Sequence, residues 1–354
     1  MGRERRLHDS SSARADRWRR RPWTREASTE STRTGCALRT FEFDGALETL
    51  TLWKGCPVMD FGSFSSVEVG VGSSQIHLAI GGSGPPLLLL HGFPQTHLMW
   101  RGVAPLLAEQ FTVCCADLPG QGRSALAADG EAQPYGKRAM AGKLVSAMAS
   151  LGHSRFAVAG HDRGGRVPYR MALDHPKVVT ALVVLDIIPM VNALERADDR
   201  MLLSFWPWSL MSQPAPLPER LVLACPEAVV DDSAERWGTA ADAFPPEVRR
   251  AYADALSDPA RVHAICEEFR AAPTVDRAHD EVDRAAGRQI EVPTLVLWDT
   301  DGALSRWYAD DGGALGIWRR WAPQAQGEPV PGGHFFAESE PALIAERLLR
   351  FLKH

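Results

Sequence analysis

Five unbroken apolar runs constrain this chain more than any other feature. Leu87-Leu88-Leu89-Leu90, FTVCCADL (111–118), RFAVAGHD (155–162), TALVVLDII (180–188) and PTLVLWD (293–299) show no alternation of polar and apolar residues. Strands of that kind are buried on both faces. Helical stretches such as PLLAEQ, RAMAGKLVSAMASLG and RVPYRMALDHP lie between them, and a last helix is expected over Glu340 to Leu352. Alternating strands and helices make an α/β chain with a mostly parallel, doubly wound sheet. Ahead of it, VEVGV and QIHLAI flank Gly72-Ser73-Ser74, the pattern of a hairpin.

The segment from about 189 to 288 has a different texture. It carries Trp206, Trp208 and Trp237, several prolines and amphipathic stretches, with no buried-strand run. A helical cap inserted between two parts of one core, 59–188 and 289–354, is the expected organisation. Residues 1–58 hold twelve Lys/Arg against eight Asp/Glu and are rich in Ser and Thr, without the apolar stretch of a secretory signal. A solvated, disordered extension is expected there.

Charge and cysteines narrow the function classes. Beyond residue 58 the chain has 27 basic and 36 acidic groups, an acidic body unsuited to nucleic acid. No apolar run approaches the ~20 residues that span a bilayer, so no membrane partner is expected. The six cysteines form no C-x-x-C pair or zinc spacing, which fits reduced structural thiols in a cytoplasmic protein.

The chemistry centres on Gly160-His161-Asp162-Arg163-Gly164, where an apolar strand meets a small-residue turn and a helix. This is G-x-D-x-G, the arrangement of the G-x-S-x-G nucleophile elbow of the α/β-hydrolase fold, with aspartate in the serine's place. A lone Asp at a helix start is often only an N-cap. Here the helix N-terminus favours its ionised form, and a carboxylate oxygen can attack an sp3 carbon to give an alkyl ester. His91-Gly92-Phe93-Pro94 follows an earlier strand where this fold supplies an oxyanion-hole N–H, so the expected donors are the Phe93 and Arg163 backbones. His334, in Val330-Pro331-Gly332-Gly333-His334, comes last in chain order, as the base should. Two acids could orient it: Asp186, ending one strand run, and Asp301, in the loop after the next. Position alone does not separate them.

From Phe61 to Leu352 the chain resembles the fluoroacetate and haloacetate dehalogenases of the α/β-hydrolase fold. The resemblance rests on His91-Gly92-Phe93-Pro94-Gln95-Thr96, Gly160-His161-Asp162-Arg163-Gly164-Gly165-Arg166, Met171-Ala172-Leu173-Asp174-His175-Pro176, Leu185-Asp186-Ile187-Ile188-Pro189, Gln213-Pro214-Ala215-Pro216 and Gly332-Gly333-His334-Phe335-Phe336. It implies Asp162 as nucleophile, His334 as base and Asp186 as its partner. It also implies Arg163 and Arg166 as binders of a small anionic substrate's carboxylate, which guanidinium forks suit. No metal or organic cofactor is implied, and a homodimer is.

The chain departs from the family at the halide pocket. Where a Trp-His-Trp segment and a later Tyr are expected to offer hydrogens to the leaving halide, it has Pro207 before Trp208, and Phe269. Trp208 remains as a donor, so chloroacetate or bromoacetate is the expected substrate rather than fluoroacetate. Two rivals are an epoxide hydrolase with the same Asp nucleophile and a non-hydrolytic carboxylate-binding protein. The epoxide reading calls for two cap tyrosines, and only Tyr252 falls in the cap segment.

Overall fold

The computed structural model describes residues 61–128, 130–240 and 242–353, with three short strands ahead of them: β1 (Ser28–Ser31), β2 (Ala37–Thr40) and β3 (Thr51–Lys54). The expectation for residues 1–58 otherwise lies outside the described residues, as do Cys36 and Cys56.

Eight further strands form the body of the sheet: β4 (Ser65–Val71), β5 (Ser74–Gly81), β6 (Pro86–Leu90), β7 (Thr112–Ala116), β8 (Phe156–His161), β9 (Val179–Leu185), β10 (Thr294–Asp299) and β11 (Gln326–Val330). Their order is β4-β5-β7-β6-β8-β9-β10-β11. β4 and β5 make the antiparallel hairpin, with Val69 opposite Ile76, and β5 pairs antiparallel with β7. Every pairing from β7 to β11 is parallel. This is the α/β-hydrolase fold.

The apolar runs now divide by face. Leu87 and Leu89 of β6, Val183 and Leu185 of β9, and Leu295 and Leu297 of β10 belong to one core layer, with Ile344 and Leu348 of the C-terminal helix Pro341–Leu352. Leu88 and Leu90, Leu182 and Val184, and Val296 join the other layer with Met140 and Leu144 of the helix Lys137–Ser150. Period-2 alternation within a doubly buried strand supplies both layers, which is why the runs are unbroken.

Between β9 and β10 the described chain is helical, from Met190–Glu195 to Arg277–Ala285. β11 is an element the sequence pattern does not announce. QGEPV pairs with β10 alone and is largely half-exposed, so it needs no apolar run, and edge position tolerates Pro329. No helix among the described residues is long and apolar enough to cross a membrane.

The elbow depends on missing side chains. A Cβ on Gly164 would sit 1.8 Å from the His91 carbonyl oxygen, and one on Gly160 would sit 2.6 Å from the Gly164 oxygen. Both neighbours are backbone and cannot swing aside. Gly164→Ala should therefore cost about 2–3 kcal/mol or more. Gly142→Ala, at a helical position with open space around it, should be neutral or stabilise by about 0.4–1 kcal/mol. Thermal and urea unfolding of the two variants measures the contrast.

Candidate active site

The site lies at the carboxyl ends of the parallel strands, where open α/β sheets gather loops from several elements. β6 leads to Phe93, β8 to Asp162, β9 to Asp186 and β11 to His334. With residues of the 189–288 segment they line one pocket, which encloses about 660 Å³ including its open mouth.

Asp162 is the first residue of the helix Asp162–Asp174, and its φ is +45°. A non-glycine residue there is strained, and such strain gathers where a side chain must be aimed. Its Oδ2 accepts a hydrogen bond from the Phe93 backbone N–H at 3.2 Å. Gly92 permits that approach, since a Cβ on it would lie 2.6 Å from the Asp162 Cβ. Burial works against the carboxylate's charge, but His334, and then His161, Arg166 and Arg163, outweigh it and hold Asp162 below its ordinary range.

The hydrogen bond to His334 falls to Asp186: Nδ1 and Oδ2 are 2.6 Å apart. Asp186 also stands at positive φ, +49°, and its Oδ1 accepts from the Asp299 backbone N–H at 3.1 Å. Asp301 is exposed, and its own backbone N–H reaches Asp299. The imidazole is braced from behind, where the His334 carbonyl meets His161 Nε2 at 2.8 Å. In front, the His334 N–H donates to the Trp237 carbonyl at 2.9 Å and the indole packs edge-on against the ring. Burial would depress the histidine's pKa. The hydrogen bond and charge of Asp186, with Asp162 and Asp299 adding, raise it above its ordinary 6.5.

Arg163 and Arg166 are both buried and both line the pocket. They differ in their commitments. Arg163 is engaged by Glu268, and its Nη1 alone lacks a partner. Arg166 has no partner for Nε or Nη1, although both are fully buried. An unpaired buried guanidinium is costly, which makes Arg166 the candidate anion binder of the pocket. Trp208 roofs the two arginines, its ring 4.6 Å from the Arg166 guanidinium carbon and 5.6 Å from that of Arg163.

Pro207 and Phe269 both line the pocket. The Arg163 guanidinium carbon sits over the Phe269 ring, 3.5 Å from its centroid, and that ring is edge-on to Phe93. Trp206 turns elsewhere, its Nε1 donating to Asp232 at 2.6 Å. Tyr252 donates to Glu338 at 2.9 Å and is absent from the pocket lining. Tyr308, from the chain after β10, does line it, as do Phe205, Trp237 and Trp307. Their spacing carries no signal in the sequence, because each reaches the pocket from a loop or short helix.

One group among the described residues has ligand atoms close enough to share a metal ion: His77, His97 and Asp117, all buried. The Asp117 oxygens already accept from the His97 N–H at 2.8 Å, His97 Nδ1 at 2.9 Å and the Arg123 N–H at 2.8 Å. That set fastens two loops and leaves little for an ion.

Comparison with known proteins agrees with this geometry. The family model for the alpha/beta hydrolase fold matches residues 85–341. A fluoroacetate dehalogenase from Burkholderia sp is 42% identical over 298 residues, 82% of this chain and 95% of that protein. A soluble epoxide hydrolase from Corynebacterium sp. (strain C12) is 29% identical over 290 residues, 78% of this chain and 93% of its own length. The solved structure of a protein from Nostoc sp PCC 7120 assigned to the alpha/beta hydrolases superposes with a TM-score of 0.79 at 41% identity, covering 83% of this chain and 99% of that one. The chain belongs to the α/β-hydrolase family and, within it, to the fluoroacetate and haloacetate dehalogenases.

Proposed function

We propose that this hydrolase removes halide from a small 2-haloacid, with Asp162 as nucleophile, His334 as base and Asp186 as its orienting acid. The observation that carries the reading is Arg166: a buried guanidinium with two unpartnered nitrogens, lining the same pocket as an ionised Asp162. A carboxylate held there sets its α-carbon before the nucleophile, and an epoxide offers no such anion. The 42% identity to a fluoroacetate dehalogenase supports the same substrate class.

In the first step an Asp162 oxygen attacks the α-carbon, the carbon–halogen bond breaks, and halide departs with the electron pair. The Phe93 contact favours Oδ1 as the attacking atom, since Oδ2 already accepts the Phe93 N–H. In the second step His334 takes a proton from water while the hydroxide adds to the Asp162 carboxyl carbon. The oxyanion forms on the atom facing the Phe93 N–H, with the Arg163 N–H as second donor. Collapse breaks the bond from the Asp162 carboxyl carbon to Oδ1 and expels the 2-hydroxyacid, whose oxygen recovers the proton from His334; Asp162 then loses the remaining water proton to solvent and returns to the carboxylate.

At the halide end Trp208 is the donor carried over from the family pattern. Pro207 and Phe269 offer no hydrogen, and donors to a charged group contribute about 1.5–3 kcal/mol each. Fluoride, small and strongly hydrated, suffers most from that loss. Chloroacetate and bromoacetate should therefore release halide at least about 10²-fold faster than fluoroacetate. Styrene oxide should give no diol. Ion chromatography across these substrates is the check, and fluoride release matching the other halides would overturn the assignment of Pro207 and Phe269.

The ester itself can be caught. His334→Asn should leave the first step running and stall the second, so one equivalent of halide appears and the Asp162 peptide gains the mass of the carboxymethyl group. An unmodified peptide with no halide burst would remove Asp162 from the nucleophile's role.

The pH profile tests Asp186. His334 accepts a proton only when neutral, so turnover falls as pH falls through its pKa. With that pKa raised by Asp186, the acid limb should have its midpoint above 6.5. Asp186→Asn leaves burial dominant, moving the midpoint down while turnover drops by about 10²–10⁴-fold. Asp301→Asn should change neither by more than about twofold.

A further inference from the structure

Behind the pocket lies a buried charge cluster that the two chemical steps do not use. It joins three elements: Arg163 on the elbow helix, Lys137 at the start of the helix Lys137–Ser150, and Glu268 on the helix Pro259–Ala271. None is more than 2% exposed.

Glu268 takes the Arg163 guanidinium edge-on. Arg163 Nε donates to Oε2, and Nη2 donates both to Oε1 at 2.8 Å and to the Glu268 carbonyl at 3.0 Å. Lys137 Nζ is in ion-pair contact with the same carboxylate. Lys137 is anchored in turn through its backbone N–H, which donates to Asp276 Oδ1 at 2.8 Å. The Phe269 ring against the guanidinium closes the remaining face.

The hydrogen-bond count has a direct consequence for substrate binding. A guanidinium has five N–H donors. Glu268 consumes the Nε hydrogen and engages Nη2, so Nη1 is what Arg163 has left for the pocket. A free arginine could turn to grip a carboxylate with two parallel bonds, or collapse onto Asp162. This one is held against both.

We propose that Glu268, itself held by Lys137, is a positioning residue that locks Arg163 so that only its Nη1 remains to meet the substrate carboxylate. The proposal rests on the haloacid reading above for its substrate.

The test uses full-length protein and two readouts: steady-state kinetics with chloroacetate, and acetate affinity by calorimetry, which needs no turnover. Glu268→Gln keeps the size of the side chain and removes its charge. It should raise KM and the acetate Kd by about tenfold while kcat moves less than about threefold. Glu268→Asp should recover part of the loss. Lys137→Met should shift KM and Kd in the same direction by about threefold, and it carries the test if Glu268→Gln does not fold. Unchanged acetate affinity in Glu268→Gln, or in Lys137→Met where that variant stands in, would overturn the proposal. So would a kcat loss with KM and Kd intact. A wild-type protein that binds acetate yet releases no halide would refute the haloacid reading alone, and the acetate series would still decide the role of Glu268.

Discussion

The close packing of three backbone segments at the end of β8 is the constraint on which the rest of the site depends. Gly160, Gly164 and the His91–Gly92 stretch approach so closely that no Cβ fits at Gly160, Gly164 or Gly92. Asp162 takes a left-handed φ because the chain must pass from strand to helix within that space. The strain sets one carboxylate oxygen on the Phe93 N–H. A looser turn would free the Asp162 side chain to rotate and would separate it from its donor. Asp186 repeats the device at the end of β9, again an aspartate at positive φ, where its short side chain makes that region more accessible than to most residues.

Charge is then distributed around the pocket so that burial does not by itself set the protonation of the groups lining it. Asp162 stays ionised against burial because His334, His161 and two arginines surround it. His334 keeps a raised pKa because Asp186 offsets the cost of burial. Of the two arginines, Arg163 is engaged by Glu268, whereas Arg166 has no hydrogen-bond partner for Nε or Nη1 and is offset by the nearby Asp162 charge. Arg166 is therefore the arginine with donors to spare, and the Trp208 ring packs against its guanidinium.

The differences between sequence expectation and structure share a cause. β11 is an edge strand paired on one side only, so burial does not impose an apolar run on it. Tyr252, the tyrosine of the 189–288 segment, is spent on Glu338, whereas Tyr308 reaches the pocket from beyond that segment. Phe269 is more than a lost donor, because its ring supports the guanidinium that Glu268 grips. Each of these depends on which distant elements meet, and no local periodicity encodes that.

What the sequence determined by itself was local. The unbroken apolar runs gave strands buried on both faces, the glycines around Asp162 gave the elbow, and chain order singled out His334, which lines the same pocket as Asp162. These are legible because backbone sterics and burial act on neighbouring residues. Chain position left Asp186 and Asp301 open and the family resemblance pointed to Asp186; tertiary structure sets Asp186 against the imidazole and leaves Asp301 exposed. It alone divided Arg163 from Arg166, which look equivalent within one motif. Their difference lies in Glu268, more than a hundred residues away, and a hydrogen bond across that separation exists only once the helix bearing it has packed onto the core.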